Sequence, residues 1–113
     1  NGAYFNNKRI RVSKKKNIDE CLFATGGKDQ IKNNLNTRKS GSAALDMAYV
    51  GAGRYDGYFQ KNLNIWDIAA GIIIIEEAGG KINKIDNSSK EGINILAGSN
   101  CIYQKMQENL NNF

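Results

Sequence analysis

The stretch Asn64–Ile75, NIWDIAAGIIII, sets one carboxylate, Asp67, behind a tryptophan and ahead of small and then bulky apolar residues. The apolar run predicts a helix from Ile68 to Ala78, stopped by Gly79-Gly80, with Asp67 at or next to its N-cap. A carboxylate there accepts orphan backbone N–H groups and meets the positive end of the helix dipole. On the residues alone, that capping role is the favoured reading. A second stays open, because Ala69, Ala70 and Gly71 leave the first turn bare, and a bare helix N-terminus suits a phosphate. Trp66 either walls such a pocket or, in the commoner role, anchors the turn in the core. Four consecutive isoleucines, Ile72 to Ile75, make the helix apolar all round, which predicts burial on most faces.

Working outward, residues 8–13 read as an exposed strand, and Cys21–Gly27 as a buried strand ended by glycines. Residues 28–37 are polar and rich in Asn, so a loop or frayed helical turn is expected. Ser42 is a candidate N-cap for a helix whose stripe is Leu45, Ala48, Tyr49 and Ala52 and which Gly53 ends. Asp46 is expected on its exposed side. Asp56-Gly57 reads as a turn, Tyr58-Phe59-Gln60 as a short strand, and Glu76 as the outward end of the isoleucine helix. GKINKI (80–85) is a strand, DNSSKEG (86–92) a turn, and INILAGS (93–99) a buried strand. Ile102, Met106 and Leu110 mark a final amphipathic helix. Strands alternating with helices imply an α/β layered sheet with flanking helices, in one domain.

The 113 residues are 41% hydrophobic and 24% charged, values of a globular protein, and no apolar run is long enough to span a bilayer. No apolar leader is visible at the start, which also lacks Met. The absence of histidine removes Ser-His-Asp triads and histidine zinc sites, leaving carboxylates, hydroxyls and bound water. Cys21 and Cys101 both lie in apolar stretches and form no CxxC pair, so two buried, reduced thiols in a cytosolic protein are expected. The net charge of +5 is concentrated in KRIRVSKKK, residues 8–16. That run holds no aromatic residue for base stacking, so a solvated strand edge is favoured over a nucleic-acid site.

The stretch WDIAAG (66–71), continued through EEAGG (76–80), closely resembles the carboxyl-terminal signature of the inositol monophosphatase family. NGAYFNNKRIRVS (1–13), LFATGG (22–27) and RKSGSAALDMAYVGAGRYDGYF (38–59) are similar, in order, to further blocks of that family. The resemblance implies the layered αβαβα sugar-phosphatase fold, of which residues 1–113 would form the carboxyl-terminal half. It also implies a lithium-sensitive, Mg²⁺-dependent phosphomonoesterase, usually a homodimer. In such enzymes carboxylates hold Mg²⁺ ions that activate water against a small-molecule phosphate ester. The position of Asp67 is then a metal ligand that also contacts substrate. Gly41, Ser42 and Ala43 match the loop that touches substrate hydroxyls, partly through backbone groups.

Three departures accompany the resemblance. The family's amino-terminal half, with its metal-binding Glu and D-P-[IL]-D-G-T motif, has no counterpart here, so the chain alone is expected to hydrolyse nothing quickly. Gln60 stands where many relatives carry a Glu that binds an inositol hydroxyl. The segment between Gly27 and Arg38 is shorter than in relatives. The 38–59 block favours inositol phosphates among polyol phosphates. The rival expectation is a truncated, non-catalytic relative that binds RNA or protein through its basic edge.

Overall fold

The computed structural model describes residues 2–26, 35–85 and 92–110. In chain order they form strands β1 (Ala3–Phe5) and β2 (Lys8–Ile10), a 3-10 turn (Ile18–Glu20), strands β3 (Leu22–Ala24) and β4 (Asn36–Arg38), and helix α1 (Ala43–Gly51). Strand β5 (Gly57–Leu63), helix α2 (Ile65–Glu77), strands β6 (Lys81–Ile82) and β7 (Ile93–Gly98), and helix α3 (Tyr103–Asn109) follow. β1 and β2 pair as an antiparallel hairpin, while the other five strands form a mixed sheet in the order β4-β3-β5-β7-β6. β3 runs parallel to β4 and β5, and β7 runs antiparallel to β5 and β6.

Side chains alternate across a strand, and here both faces of the sheet are buried. Ala24, Tyr58, Ile95 and Ala97 face one layer with Met47 and Val50 of α1 and Ile68 and Ile75 of α2. Their neighbours Phe23, Phe59 and Leu96 face the other, with Ile102, Tyr103 and Met106 at α3. The expected layered α/β architecture is therefore present, with the helix pair α1–α2 on one side and α3 on the other.

The α1–α2 contact is close because glycine permits it. A Cβ on Gly71 would lie 2.8 Å from the Met47 Cβ, and one on Gly51 would lie 2.6 Å from the Ile74 Cγ2. Met47 cannot swing its own Cβ aside. Gly71→Ala gains about 1 kcal/mol in helix propensity but overpacks this seam at a cost of about 1–3 kcal/mol. A net destabilisation of about 1 kcal/mol is expected in chemical denaturation.

Several boundaries differ from the sequence reading, each for a physical reason. The strand expected at 8–13 stops at Ile10, because the Val12 amide leaves the hairpin and donates to Ala78 O at 3.1 Å. Its partner β1 was not foreseen. The two are joined by Asn6 and Asn7 at φ 52° and 64°, a left-handed pair suited to a two-residue hairpin turn. Asn36–Arg38 pairs as an edge strand although it reads as polar loop, since edge pairing asks for backbone groups rather than an apolar face. Residues 28–34 of that expected loop lie outside the described residues, as do 86–91 of the expected turn. Cys21 is buried, but Cys101 is exposed, contrary to expectation, because it sits in the turn ahead of α3; both are free thiols. Burial, then the Asp56 carboxylate, pushes the Cys21 thiol up to about 11, so it stays protonated and inert.

The helices also differ. α2 begins at Ile65, one turn before the expected start, because Asn64 caps it: Asn64 Oδ1 accepts from the Trp66 amide at 2.9 Å. Its burial is one-sided. Ile68, Gly71 and Ile75 are buried, but Ile73 is 61% exposed. The α1 stripe read from the sequence is likewise misassigned: Met47 and Val50 enter the core, while Leu45, Ala48, Tyr49 and Ala52 line a groove of about 580 Å³. Tyr4, Phe5 and Ile73 complete its apolar wall. Exposed apolar side chains gathered on one face favour association in water. Sedimentation velocity is expected to show concentration-dependent association, diminished by Ile73→Glu; a concentration-independent monomer would contradict it.

Candidate functional site

A second cleft, of about 560 Å³, opens where the first turns of α1 and α2 meet the ends of β3 and β5. Its lining includes Gly26, Gly41, Ser42, Ala43, Gln60, Trp66 and Asp67. Every site residue expected from the sequence thus borders one cavity, although they are spread over 27 positions of chain from Gly41 to Asp67.

Each wall has a local cause. Ser42 Oγ accepts from the Leu45 amide at 3.2 Å and caps α1. That leaves the Ala43 and Ala44 amides outside the helical hydrogen-bond ladder. Gly41, at φ +86°, turns the chain into the helix, and the space where a Cβ would stand is open. Asn64 caps α2, so Asp67 falls on the third helical residue and is not needed as a cap. It is exposed and on the cleft wall. Trp66 is 86% exposed, so it borders the cleft instead of anchoring the turn in the core. Two helix N-termini therefore face one cavity, and both dipoles favour negative charge there.

Behind the 41–43 loop lies a residue that the sequence reading misplaced. Asp46 is 1% exposed, not solvent-facing. Its Oδ1 accepts from Ser40 Oγ at 2.6 Å, and Ser40 Oγ in turn accepts from the Ser42 amide at 3.1 Å. The helix periodicity puts Asp46 beside the core residues Met47 and Val50, so the signal was present. A polar residue type argued against it. Asp56 does occupy the expected turn, but it is buried, accepts from the Leu22 amide at 2.7 Å and pairs with Lys15 at 3.6 Å. Glu76 is exposed as expected.

Burial raises the Asp46 pKa, partly countered by the Ser40 hydrogen bond. A carboxyl group whose folded pKa is raised loses stability as pH climbs from the unfolded value through the folded one. Asp46→Asn is therefore expected to flatten that decline and to equal or exceed the parent in stability at neutral pH. Urea unfolding across a pH series reads both effects.

Gln60 forms the floor. The buried Tyr58 hydroxyl donates to Gln60 Oε1 at 2.5 Å. Burial, and secondarily the Asp46 charge, raises the Tyr58 pKa, keeping the phenol protonated. A Cβ on Gly26 would lie 2.4 Å from Gln60 Oε1, so a side chain there would displace the amide from its present position. Among the described residues, Asp67 is the one ionisable acid lining the cleft. Among the described residues no three His, Cys, Asp or Glu side chains gather to hold a metal. A hard dication takes about six oxygen ligands, so these residues do not by themselves make a metal centre.

Residues 1–112 match the model of the inositol monophosphatase family. The chain belongs to that family. It is 38% identical to the inositol-1-monophosphatase of Caulobacter vibrioides over 91% of this chain and 47% of that protein. It is 48% identical to the fructose-1,6-bisphosphatase/inositol-1-monophosphatase of Thermotoga maritima over 80% of this chain and 38% of that protein. The fold agrees with the crystal structure of the extragenic suppressor protein SuhB from Bartonella henselae, with TM-score 0.82 and 41% identity, over 97% of this chain and 50% of that one. The chain thus spans about half the length, or less, of these family members. Among the described residues no helix is long and apolar enough to cross a membrane.

Proposed function

We propose that this chain is part of a Mg²⁺-dependent phosphomonoesterase that hydrolyses inositol phosphate or a related polyol phosphate. The observation that carries this reading is the exposed carboxylate of Asp67, standing on a cleft with the Gly41–Ala43 turn and Gln60. Asp67 serves as one metal-binding carboxylate and touches substrate. The amides of the first α1 turn and Ser42, together with Gln60, take the alcohol portion of the ester. The remaining metal ligands come from polypeptide outside this sequence, so the isolated chain turns over little substrate. No apolar side chain stands in the Gly41 position, which leaves room for a ring.

The test mixes this chain with the amino-terminal half of a close relative and follows phosphate release from myo-inositol 1-phosphate. Release is expected to need Mg²⁺, to be inhibited by Li⁺, and to fall by about 100-fold or more with Asp67→Asn, as for loss of a metal ligand. No release from the unsubstituted mixture counts against the enzyme. A second reading, RNA or protein binding, draws support from the exposed Lys8, Arg9, Arg11, Lys14 and Lys16 along one segment and from relatives such as the Pseudomonas aeruginosa protein named Nus factor SuhB. RNA retention that weakens steeply with salt would favour it.

A further inference from the structure

The geometry points to Tyr58 as a positioning residue that fixes Gln60 as a hydrogen-bond donor toward the cleft, selecting polyol phosphates that present an acceptor-only oxygen, such as a second phosphoryl group, at that wall. This rests on the cleft being the phosphate-ester site proposed above.

A glutamine amide has one acceptor end and one donor end, and its contacts decide which end a ligand meets. Tyr58 is fully buried, so its O–H needs an acceptor inside the protein. Gln60 Oε1 supplies it at 2.5 Å. The nearby buried carboxylate, Asp46, accepts from Ser40 at Oδ1 and makes no hydrogen bond at Oδ2, so the phenol proton goes to Gln60 and not to Asp46. Gly26 lies beneath the same oxygen. Oε1 is therefore held between the phenol and the strand end, and the amide does not turn over without orphaning a buried hydroxyl. One lone pair of Oε1 is taken, and Nε2 with its two N–H groups is the unengaged end that a ligand meets.

The consequence is one of sign. A carboxylate in this position would accept from a ligand hydroxyl and repel an anionic oxygen. The locked amide does the reverse: it donates and carries no charge. Among the described residues, Asp67 is then the one negative side chain on the wall, set apart on α2. A ligand bearing a second phosphoryl group finds a donor at β5 and two helix N-termini nearby, whereas an inositol monophosphate offers hydroxyls there, which can accept only as neutral groups.

The experiment uses the protein as its own gene encodes it and compares fructose 1,6-bisphosphate with myo-inositol 1-phosphate in Mg²⁺. Gln60→Glu is expected to raise KM for the bisphosphate about tenfold more than KM for the monophosphate, read as the change in the ratio of the two kcat/KM values. Tyr58→Phe frees the amide to turn and is expected to shrink the bisphosphate preference by about threefold, while Asp67-dependent kcat persists. Amide spectra of both variants confirm the fold, and a ¹⁵N spectrum of the Gln60 side chain reports its rotation independently of turnover. Equal KM changes for the two esters, or none, overturn the donor assignment alone. A Gln60 amide signal unaffected by Tyr58→Phe overturns the positioning role of Tyr58. No hydrolysis of either ester by the unsubstituted protein overturns the phosphatase reading, and this inference with it.

Discussion

The seam between α1 and α2 governs the rest of the molecule. Gly51 and Gly71 let the two helices approach to a distance that a single added methyl group would violate. Because their first turns line the same cavity, the helices run side by side in the same direction. Two positive dipole ends then stand together, an arrangement that a nearby negative charge relieves. Asp67 supplies one such charge, and the cleft between the ends is open to more. Packing thus creates the electrostatic character of the site before any ligand arrives.

The supports of the cleft are polar groups that sit one step removed from it. Asp46 reaches the 41–43 turn through Ser40, and Tyr58 reaches the cleft through Gln60. Both supporting residues are buried, where an unpaired polar group costs about 1–3 kcal/mol. That cost holds the contacting groups in one geometry. Asp46 retains one oxygen without a partner, so this support is itself a cost to stability and is maintained in spite of it.

Much of this was legible from residue order. The Ser42 cap, the Gly53 end of α1, the buried β3, β5 and β7, and the Ile102–Met106–Leu110 stripe follow from local rules of capping and period. The bare first turn behind Asp67 left a ligand role open from the residues alone, but Gly41 and Gln60 join it as candidates only through resemblance, since nothing in their spacing announces that one cleft brings them together. Asp46 is buried where its residue type suggests exposure, because helical phase places it beside Met47 and Val50. Asn64 and not Asp67 caps α2, so the helix starts at Ile65, a turn ahead of the expected Ile68. The isoleucine run misled in a different way. Apolarity on every side of a helix says that each side wants cover, not that one chain provides it.

α2, like α1, joins the cleft to the apolar groove. Its first turn carries Asp67 into the cleft, and six residues further on the same rod sets Ile73 in the apolar groove. At about 1.5 Å per residue, roughly 9 Å of stiff helix separates them. Whatever seals the groove therefore clamps the shaft on which the acidic group is mounted. Packing in the groove and the position of Asp67 on the cleft wall are thus coupled through a single helix.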